Sequence, residues 1–374
     1  MKTSAKERLF SLDALRGFDM FWIVGGDMLF RSLGKVTDWQ WADWWANQLY
    51  HVEWEGFHAY DLIFPLFMFI AGAAIPYALT GKFEKGVPIS ALHRKVIKRA
   101  VILVILGVIY NGALSYEYGL FSFDFSNIRV ASVLGQIGLA YLIAGMIVLH
   151  TSNFRQRLYW LIGILAGIAA VQHLIPVPGY GAGVLTPEGS INSYIDQQIL
   201  PGTLYGGTYD PEGLLSIVSA GGITLMGALA GAYLRDKKLG NYRKVVYLAS
   251  AGVVLVISGS LLGQVYPIIK SAWTSTFNLF AGGLCLVILA LFYLIIDVWK
   301  IRRWSYFFRV IGMNSITIYV GSELINFKYT SDFVFRGFAS FTGNFEPVVL
   351  FIAMILLEWL FLYYLYKNRI FLRV

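Results

Sequence analysis

Apolar stretches of about 20 residues recur along the whole chain, separated by short polar segments. One helix of that length crosses the hydrocarbon core of a bilayer, which is about 30 Å thick. The pattern predicts about ten transmembrane helices, at approximately 14–34, 58–80, 99–116, 130–150, 158–176, 214–234, 245–266, 276–296, 305–326 and 347–366. We therefore expect an all-α fold, a polytopic membrane helix bundle that forms a single domain over 1–374.

The amino-acid composition agrees with this prediction. Hydrophobic residues make up 57% of the chain and charged residues only 14%, with a mean hydropathy of +0.62. A soluble domain of this length is less apolar. The one cysteine, Cys285, lies in an apolar run, so no intramolecular disulfide can form and we do not expect a catalytic thiol.

The net charge of +8 carries topological information. Lys and Arg concentrate in both tails and in the connections after the even-numbered predicted helices, and the positive-inside rule then places both termini in the cytoplasm. Charges dispersed over short loops argue against nucleic-acid binding. No small-residue cleavage site follows the basic N-terminal residues, so we expect the first segment to stay attached. The lack of eukaryotic targeting signals and of a long N-terminal domain favours a bacterial inner membrane as the location.

The stretch from His51 to Pro65 joins two histidines and three carboxylates to the start of an apolar segment. An ionisable group inside hydrocarbon costs about 3 kcal/mol, so such a cluster predicts a functional site. His51, on a predicted outer loop, suits general-base catalysis or transient acylation, and an interfacial histidine without a catalytic role is the alternative. Trp54 belongs to a tryptophan-rich segment, for which an interfacial belt and ligand stacking both stay open.

Other polar residues fall inside the predicted helices. Asp13, Arg16 and Asp19 are spaced by three residues, as in an ion pair along one helix face. Asp27 has no local partner of clear geometry and is the better functional candidate of the first helix. Pro65 should kink or open the second helix, because it lacks an amide donor.

Polar residues later in the chain divide into two groups. Gln136 and His173 are isolated, and helix-to-helix hydrogen bonding explains them adequately. The ninth predicted helix is denser in polar residues, which include Asn314, Ser315 and Glu323. Metal-ligand spacing, a nucleophile elbow and a phosphate-cradling loop do not occur in the sequence.

Four segments taken together resemble the heparan-alpha-glucosaminide N-acetyltransferase family, in its bacterial members without the large luminal domain. They are Ser11-Leu-Asp-Ala-Leu-Arg-Gly-Phe18, His51-Val-Glu-Trp-Glu-Gly56 running into Asp61-Leu-Ile-Phe-Pro65, Asp210-Pro-Glu-Gly-Leu-Leu215, and Gly312-Met-Asn-Ser-Ile-Thr-Ile-Tyr-Val-Gly321. The resemblance implies transfer of acetyl from cytoplasmic acetyl-CoA, across the membrane, to the amine of a terminal glucosamine or related amino sugar on the periplasmic side. The reactive histidine of the family falls on His51.

With this resemblance, Asp61 and Asp27 join His51 as expected catalytic residues. Residues expected to bind the donor or the acceptor are Asp13, Arg16, Trp54, Arg99, Asp210, Asn314, Ser315 and Glu323. The expected partners are acetyl-CoA as co-substrate, an amino-sugar acceptor and the lipid bilayer, with no metal and no nucleic acid, and a homodimer stays open. His51 could carry the acetyl group in a ping-pong cycle or deprotonate the amine in a ternary complex.

Three positions depart from the family pattern and put the acceptor in question. Asp27 replaces an asparagine, Gly321-Ser322-Glu323 replaces Gly-His-Glu, and Leu134-Gly135-Gln136 replaces Leu-Gln-Arg. One alternative is therefore an O-acyltransferase that modifies a surface glycan. The other is a secondary transporter for sugars or other solutes, although the inverted repeats typical of that class are not found in the sequence.

Overall fold

The computed structural model describes residues 9–113 and 128–372. The basic N-terminal residues lie outside these ranges. The third predicted helix, 99–116, lies outside them only at its end, 114–116. Within them the chain is helical, with three isolated β-bridges and no strand. The predicted all-α class is therefore confirmed for this part of the chain.

The described residues form two compact units, one of 9–47, 239–249 and 287–372 and the other of 48–113, 128–238 and 250–286. The first unit contains helices Phe10–Phe21, Asp27–Val36, Ser305–Met313, Ser315–Leu324, Phe327–Ala339 and Glu346–Lys367. The second contains Ile63–Ala73, Ile89–Val108, Val133–His150, Phe154–Leu174, Ile191–Ile199 and Leu214–Arg235. Three helices have residues in both units: Gln40–Gln48, Asn241–Leu262 and Ser275–Tyr293. The single domain expected over 1–374 stays a prediction.

Seven helical segments of the described chain are long and apolar enough to cross a membrane, instead of the ten expected. They are Ala59–Phe83, Val133–His150, Phe154–Leu174, Leu214–Arg235, Asn241–Leu262, Ser275–Val298 and Phe327–Lys367. The count of about ten is thus not supported, whereas the helical membrane bundle is consistent with the structure.

Each of the three predicted spans without a counterpart has a feature that distinguishes it from a continuous apolar helix. The first is interrupted where Val24 and Gly25 leave helical geometry, with a φ of 134° at the glycine that favours this residue type. The ninth is interrupted at Asn314, whose φ of −130° and ψ of 34° end one helix and start the next. The third predicted span starts inside helix Ile89–Val108, and most of the charged residues of this helix lie in its first half.

Glycines bring two helices of the first unit into backbone contact. A Cβ on Gly17 would lie 1.6 Å from the carbonyl oxygen of Phe308, and one on Gly312 would lie 2.0 Å from that of Asp13. Helix Phe10–Phe21 can therefore pack on Ser305–Met313 only with glycine at both positions. This contact is a structural reason for the glycines of the first and fourth segments of the family pattern.

The second unit contains a similar glycine seam, formed by Gly72, Gly227 and Gly231. A Cβ on Gly72 would lie 1.9 Å from the carbonyl oxygen of Thr224. A Cβ on Gly227 would lie 2.0 Å from the carbonyl oxygen of Phe69, and a Cβ on Gly231 would lie 2.1 Å from the carbonyl oxygen of Ala73. Helices Ile63–Ala73 and Leu214–Arg235 thus pack backbone against backbone.

The predicted kink at Pro65 is wrong. Helix Ile63–Ala73 begins two residues before the proline, so its missing N–H falls in the first turn, where no intrahelical partner exists. The irregular part of this segment comes later, as a π-helical turn over Pro76–Thr80.

Candidate functional site

The imidazole of His51 is hydrogen-bonded to the carboxylate of Asp61. The distance from Nδ1 to Oδ1 is 2.6 Å, and the Asp61 side chain is fully buried while that of His51 is 50% exposed. An ionised carboxylate only accepts, so Nδ1 carries the proton, and in the neutral ring Nε2 then has the lone pair. The pair therefore presents a nitrogen base at an accessible position.

The second oxygen of Asp61 fixes the loop that precedes the helix. Oδ2 accepts hydrogen bonds from the backbone N–H of His58 at 3.0 Å and of Val52 at 3.4 Å. The His58 ring points elsewhere, because its Nδ1 donates to the carbonyl oxygen of Tyr50 over 2.9 Å. Of the two histidine rings in the segment, the ring of His51 is the one that hydrogen-bonds to the buried carboxylate.

Lys270 completes this cluster from a loop more than 200 positions later in the chain. Its Nζ lies 3.2 Å from Oδ1 of Asp61, 2.9 Å from Nδ1 of His51 and 3.4 Å from Nε2. Burial lowers the pKa of the Lys270 ammonium, and the charge of Asp61 opposes this change. Three ionisable groups therefore meet at one point of the second unit.

Backbone contacts hold the Lys270 loop against the His51 loop. The N–H of Gly56 donates to the carbonyl oxygen of Ile268 over 2.9 Å, and Glu55 and Ile269 form an isolated antiparallel bridge. Gly56 has a φ of 115°, a conformation that L side chains rarely adopt. Gly56 therefore suits the backbone conformation at the point where the His51 loop hydrogen-bonds to the Lys270 loop.

Buried side chains of the second unit anchor the Lys270 loop. The side-chain amide of Gln172 donates to the carbonyl oxygen of Ala272 over 2.9 Å. The hydroxyl of Ser219 donates to the carbonyl oxygen of Trp273 over 2.6 Å. Trp273 is fully buried and packs edge-on against Phe64, with ring centroids 5.9 Å apart. The position of Lys270 is therefore set by the packed interior of the second unit.

A second charged cluster joins Arg129, Asp210 and Glu212. The guanidinium of Arg129 donates to both oxygens of Asp210, over 2.8 Å and 2.6 Å, and also binds Glu212. Asp210 further accepts the backbone N–H groups of Tyr205 at 3.1 Å and Glu212 at 3.0 Å. Asp210 is thus buried and surrounded by protein donors, and its expected role in substrate binding stays a prediction.

The acidic segment 210–213 leads directly into helix Leu214–Arg235. Oδ1 of Asp196 accepts the backbone N–H of Leu214 over 2.9 Å, and a Cβ on Gly213 would lie 1.8 Å from Oδ2 of the same carboxylate. Only glycine leaves room for this cap. Burial raises the pKa of Asp196 to about 7 and that of Glu212 to about 7, although Arg129 opposes the second change.

Trp54 connects the two loop regions. Its indole N–H donates to the carbonyl oxygen of Leu185 over 2.7 Å, and its ring meets Tyr209 edge-on with centroids 4.9 Å apart. The tryptophan therefore packs beside the Asp210 segment, and a role in ligand stacking stays a prediction.

The remaining expected residues of the second unit lie on other helices. The guanidinium of Arg99 lies 4.2 Å from the ring centroid of Tyr141. Gln136 is 1% exposed, and neither atom of its amide has a hydrogen-bond partner among the described residues. The expectation that Gln136 bonds helix to helix is therefore wrong. His173 packs edge-on against Tyr266, at 4.5 Å between ring centroids.

Six expected site residues belong to the first unit. Arg16 lies 3.9 Å from Asp13, as the spacing predicted. The expected pairing of Arg16 with Asp19 is wrong, because neither carboxylate oxygen of the buried Asp19 has a hydrogen-bond partner among the described residues. Asp27 does have a local partner, because Nη2 of Arg31, one turn later, is 3.4 Å from its Oδ2, and this corrects the expectation. The other three are placed as follows: Asn314 donates to the carbonyl oxygen of Ile370 over 3.1 Å, Ser315 is buried, and Glu323 is exposed.

Sequence reasoning missed Lys270, Arg129 and Glu212 as members of charged clusters. The sequence did contain a signal for Lys270. It is one of the few basic residues on the predicted outer side, where the positive-inside rule expects few Lys and Arg. For Arg129 the partners lie more than 80 positions away, and no sequence pattern announces the pairing. Within the described ranges, no group of three or more His, Cys, Asp or Glu residues could hold a metal ion.

Comparisons with known proteins extend over nearly the whole chain. A family model described as a domain of unknown function (DUF5009) matches residues 8–173. Human heparan-alpha-glucosaminide N-acetyltransferase is 25% identical over 418 residues, which cover 98% of this chain and 60% of that protein. The mouse protein of the same name is 26% identical over 423 residues, covering 100% and 61%. The chain thus spans about three-fifths of the length of these curated relatives.

Proposed function

We propose, from the homology of this chain to heparan-alpha-glucosaminide N-acetyltransferase, that it is a membrane acetyltransferase with its reacting centre at His51. The observation that carries the proposal is the short hydrogen bond between His51 and the buried Asp61, which leaves Nε2 accessible as a base or nucleophile. The name of the relatives gives an acetyl group as the group transferred and a glucosaminide as its acceptor. For this chain we propose acetyl-CoA as the donor and an amino sugar as the acceptor.

In the ternary-complex form of the reaction, the amine nitrogen of the acceptor attacks the thioester carbonyl carbon. A C–N bond forms, the carbonyl π pair moves to oxygen, and Nε2 of His51 removes one amine proton. The oxyanion then collapses, the C–S bond breaks, and the thiolate of CoA takes the proton from His51. Asp61 holds the imidazole in one tautomer and stabilises the imidazolium that forms in between.

A ping-pong form uses the same residues with Nε2 as the nucleophile. The lone pair of Nε2 attacks the thioester carbon, the C–S bond breaks, and CoA leaves as the thiolate from an acetylimidazolium whose Nδ1–H stays bonded to Asp61. The acceptor amine then displaces Nε2 from the acyl carbon, and its surplus proton passes by way of Nε2 to the thiolate of CoA. Both forms need a neutral imidazole with Nδ1 bonded to Asp61, and trapping an acetylated enzyme from acetyl-CoA alone would distinguish them.

The donor is a polyanion, and cationic side chains stand at the opposite end of the span that begins beside His51. Arg94 and Lys98 line an open surface depression of about 560 Å³ on helix Ile89–Val108, together with Ser90 and His93. Helix Ala59–Phe83 has 25 residues and is therefore about 37 Å long, so the thioester must travel into the bundle to meet His51. Arginine is suited to binding phosphate through its paired N–H groups.

The donor hypothesis has a direct test. Replacing Arg94 and Lys98 with glutamine should raise the KM for acetyl-CoA and leave the KM for S-acetylpantetheine unchanged, because the second donor lacks the nucleotide. An equal effect on both donors would remove these two residues from nucleotide binding.

The function itself is tested with the purified chain in proteoliposomes. Labelled acetyl-CoA is supplied on one side and glucosamine, or a sugar that offers only hydroxyl groups, on the other. We expect label on the amine of glucosamine, with donor on the side of the basic loops and acceptor on the side of His51. Transfer only to hydroxyl groups would favour the O-acyltransferase alternative, and uptake of solute without donor consumption would favour the transporter.

A further inference from the structure

The ammonium of Lys270 has more hydrogen-bonding capacity than its neighbours use. It carries three N–H donors, and among the described residues its only hydrogen-bonding neighbours are Asp61 and His51. Because Nδ1 of His51 donates to Asp61, the carboxylate is the acceptor that the ring and the ammonium share. At least one N–H of Lys270 is left beside the open edge of the imidazole.

We propose that Lys270 is a catalytic residue of this site, donating a hydrogen bond to the acyl oxygen as negative charge develops on it. The proposal rests on the function proposed above. In both forms of the reaction the acyl carbon becomes tetrahedral next to Nε2, and Nζ of Lys270 lies 3.4 Å from that nitrogen. A donor that stabilises an oxyanion must come within about 2.7–3.1 Å of the oxygen, which an ammonium at this position reaches.

The surroundings of Lys270 fit a donor whose strength matters. Burial lowers the pKa of the ammonium, so it releases a proton more readily and is a stronger hydrogen-bond donor than an exposed lysine. The loop that carries it is anchored through Ala272 and Trp273, so the donor is in position before substrate binds. No proton leaves Lys270 in the reaction, since His51 handles the proton of the amine.

The experiment compares the parent protein with Lys270→Met and Lys270→Arg in the proteoliposome transfer assay. We expect kcat to fall about 100-fold in Lys270→Met, with the KM for acetyl-CoA changed less than about threefold, because the oxyanion interaction exists only in the transition state. Lys270→Arg keeps a cationic donor and should recover part of kcat. A kcat within about threefold of the parent in Lys270→Met would overturn the proposal, as would an equal change in both kinetic constants.

Two controls keep the outcome interpretable. Lys328→Met removes a lysine that is also paired with an aspartate, over 2.9 Å, but whose side chain is 59% exposed, and it should transfer acetyl at the parental rate. If Lys270→Met does not fold, as judged by its gel-filtration profile, Lys270→Arg and Lys270→Gln carry the test, and kcat should follow the order lysine, arginine, glutamine. Any other order would contradict the donor role.

A His51→Ala variant separates this proposal from the function beneath it. If His51→Ala is inactive and Lys270→Met retains the parental kcat, the lysine proposal fails and the transferase site stands. If the parent protein transfers no acetyl group, or His51→Ala is fully active, the proposed function fails first.

Discussion

Two charged clusters of the second unit contain the same kinds of groups in different surroundings. In one, Lys270 and the half-exposed His51 share the buried carboxylate of Asp61. In the other, Arg129 is enclosed by Asp210 and Glu212, and each of these acidic residues is buried. The first cluster leaves a base and a donor available, whereas the second uses its guanidinium within the protein.

Acidic and basic residues at the ends of apolar helices are therefore not equivalent candidates for a site. A bidentate arginine pair closes the segment that starts helix Leu214–Arg235, which is a structural role. In the first cluster a histidine and a lysine share one carboxylate, and the histidine side chain stays half exposed. Variants of the two clusters should therefore separate activity from stability.

The largest effect should come from His51→Ala. Removal of the base or nucleophile should lower acetyl transfer by at least about 100-fold, and the thermal unfolding midpoint should stay close to that of the parent because the ring is half exposed. The measurement is initial rate of label transfer together with a melting curve. An active His51→Ala protein would remove this residue from the reaction.

The reverse pattern is expected for Arg129→Met. This change leaves two buried carboxylates without their cation and should cost about 3–5 kcal/mol of stability. Equilibrium unfolding in detergent measures the loss, with Lys328→Met as the exposed control, which should cost less than about 1 kcal/mol. Equal losses from the two variants would show that the buried cluster has no special structural weight.

The pH dependence of stability tests the structural role of the buried carboxyl groups near Arg129. Because burial raises the pKa of Asp196 to about 7, the folded protein holds a proton that the unfolded chain releases at lower pH. The stability from this group is present at acidic pH and is lost as the pH rises through about 7. Melting temperatures should therefore fall between about pH 5 and pH 8.

An Asp196→Asn variant tests this assignment, since asparagine keeps an oxygen for the N–H of Leu214 but does not titrate. The pH slope should become shallower and keep a remainder from Glu212, whose pKa is raised in the same direction. An unchanged slope would mean that Asp196 does not titrate in this range.

The smallest effect is expected for His58→Ala. The change removes one side-chain hydrogen bond to the carbonyl oxygen of Tyr50, which is worth about 1 kcal/mol, and leaves the backbone bond to Asp61 in place. Transfer activity should fall only a few fold by way of the loop. A loss as large as that of His51→Ala would instead make both histidines part of the reacting centre.

The sequence predicts local features of this molecule better than distant ones. The helical class follows from apolar stretches, and the Asp13 and Arg16 pair follows from spacing. The breaks at Gly25 and Asn314 do not interrupt the hydrophobic pattern, so continuous helices were predicted there. Hydropathy reports the average polarity of a segment and is insensitive to one residue that leaves helical geometry.

The candidate site shows the same limit. His51 and Asp61 are ten positions apart, at a loop and the helix start that follows it, so their proximity is expected from the chain itself. Lys270 arrives by tertiary packing, and Gln136 occupies a helix position whose lack of a partner cannot be read from residue type. Long-range pairing depends on the whole packed interior, which a single sequence does not encode in any short pattern.

The glycine seam between Ile63–Ala73 and Leu214–Arg235 limits the motions that a catalytic cycle can use. At three positions the two backbones touch with no side chain between them, so sliding by one residue would drive a Cβ into a carbonyl group. The two helices consequently behave as one mechanical element, and Asp61 and the Asp210 segment at their starts share its movement. Under the proposed function, access for the donor and the acceptor then comes from displacement of other parts around this fixed element.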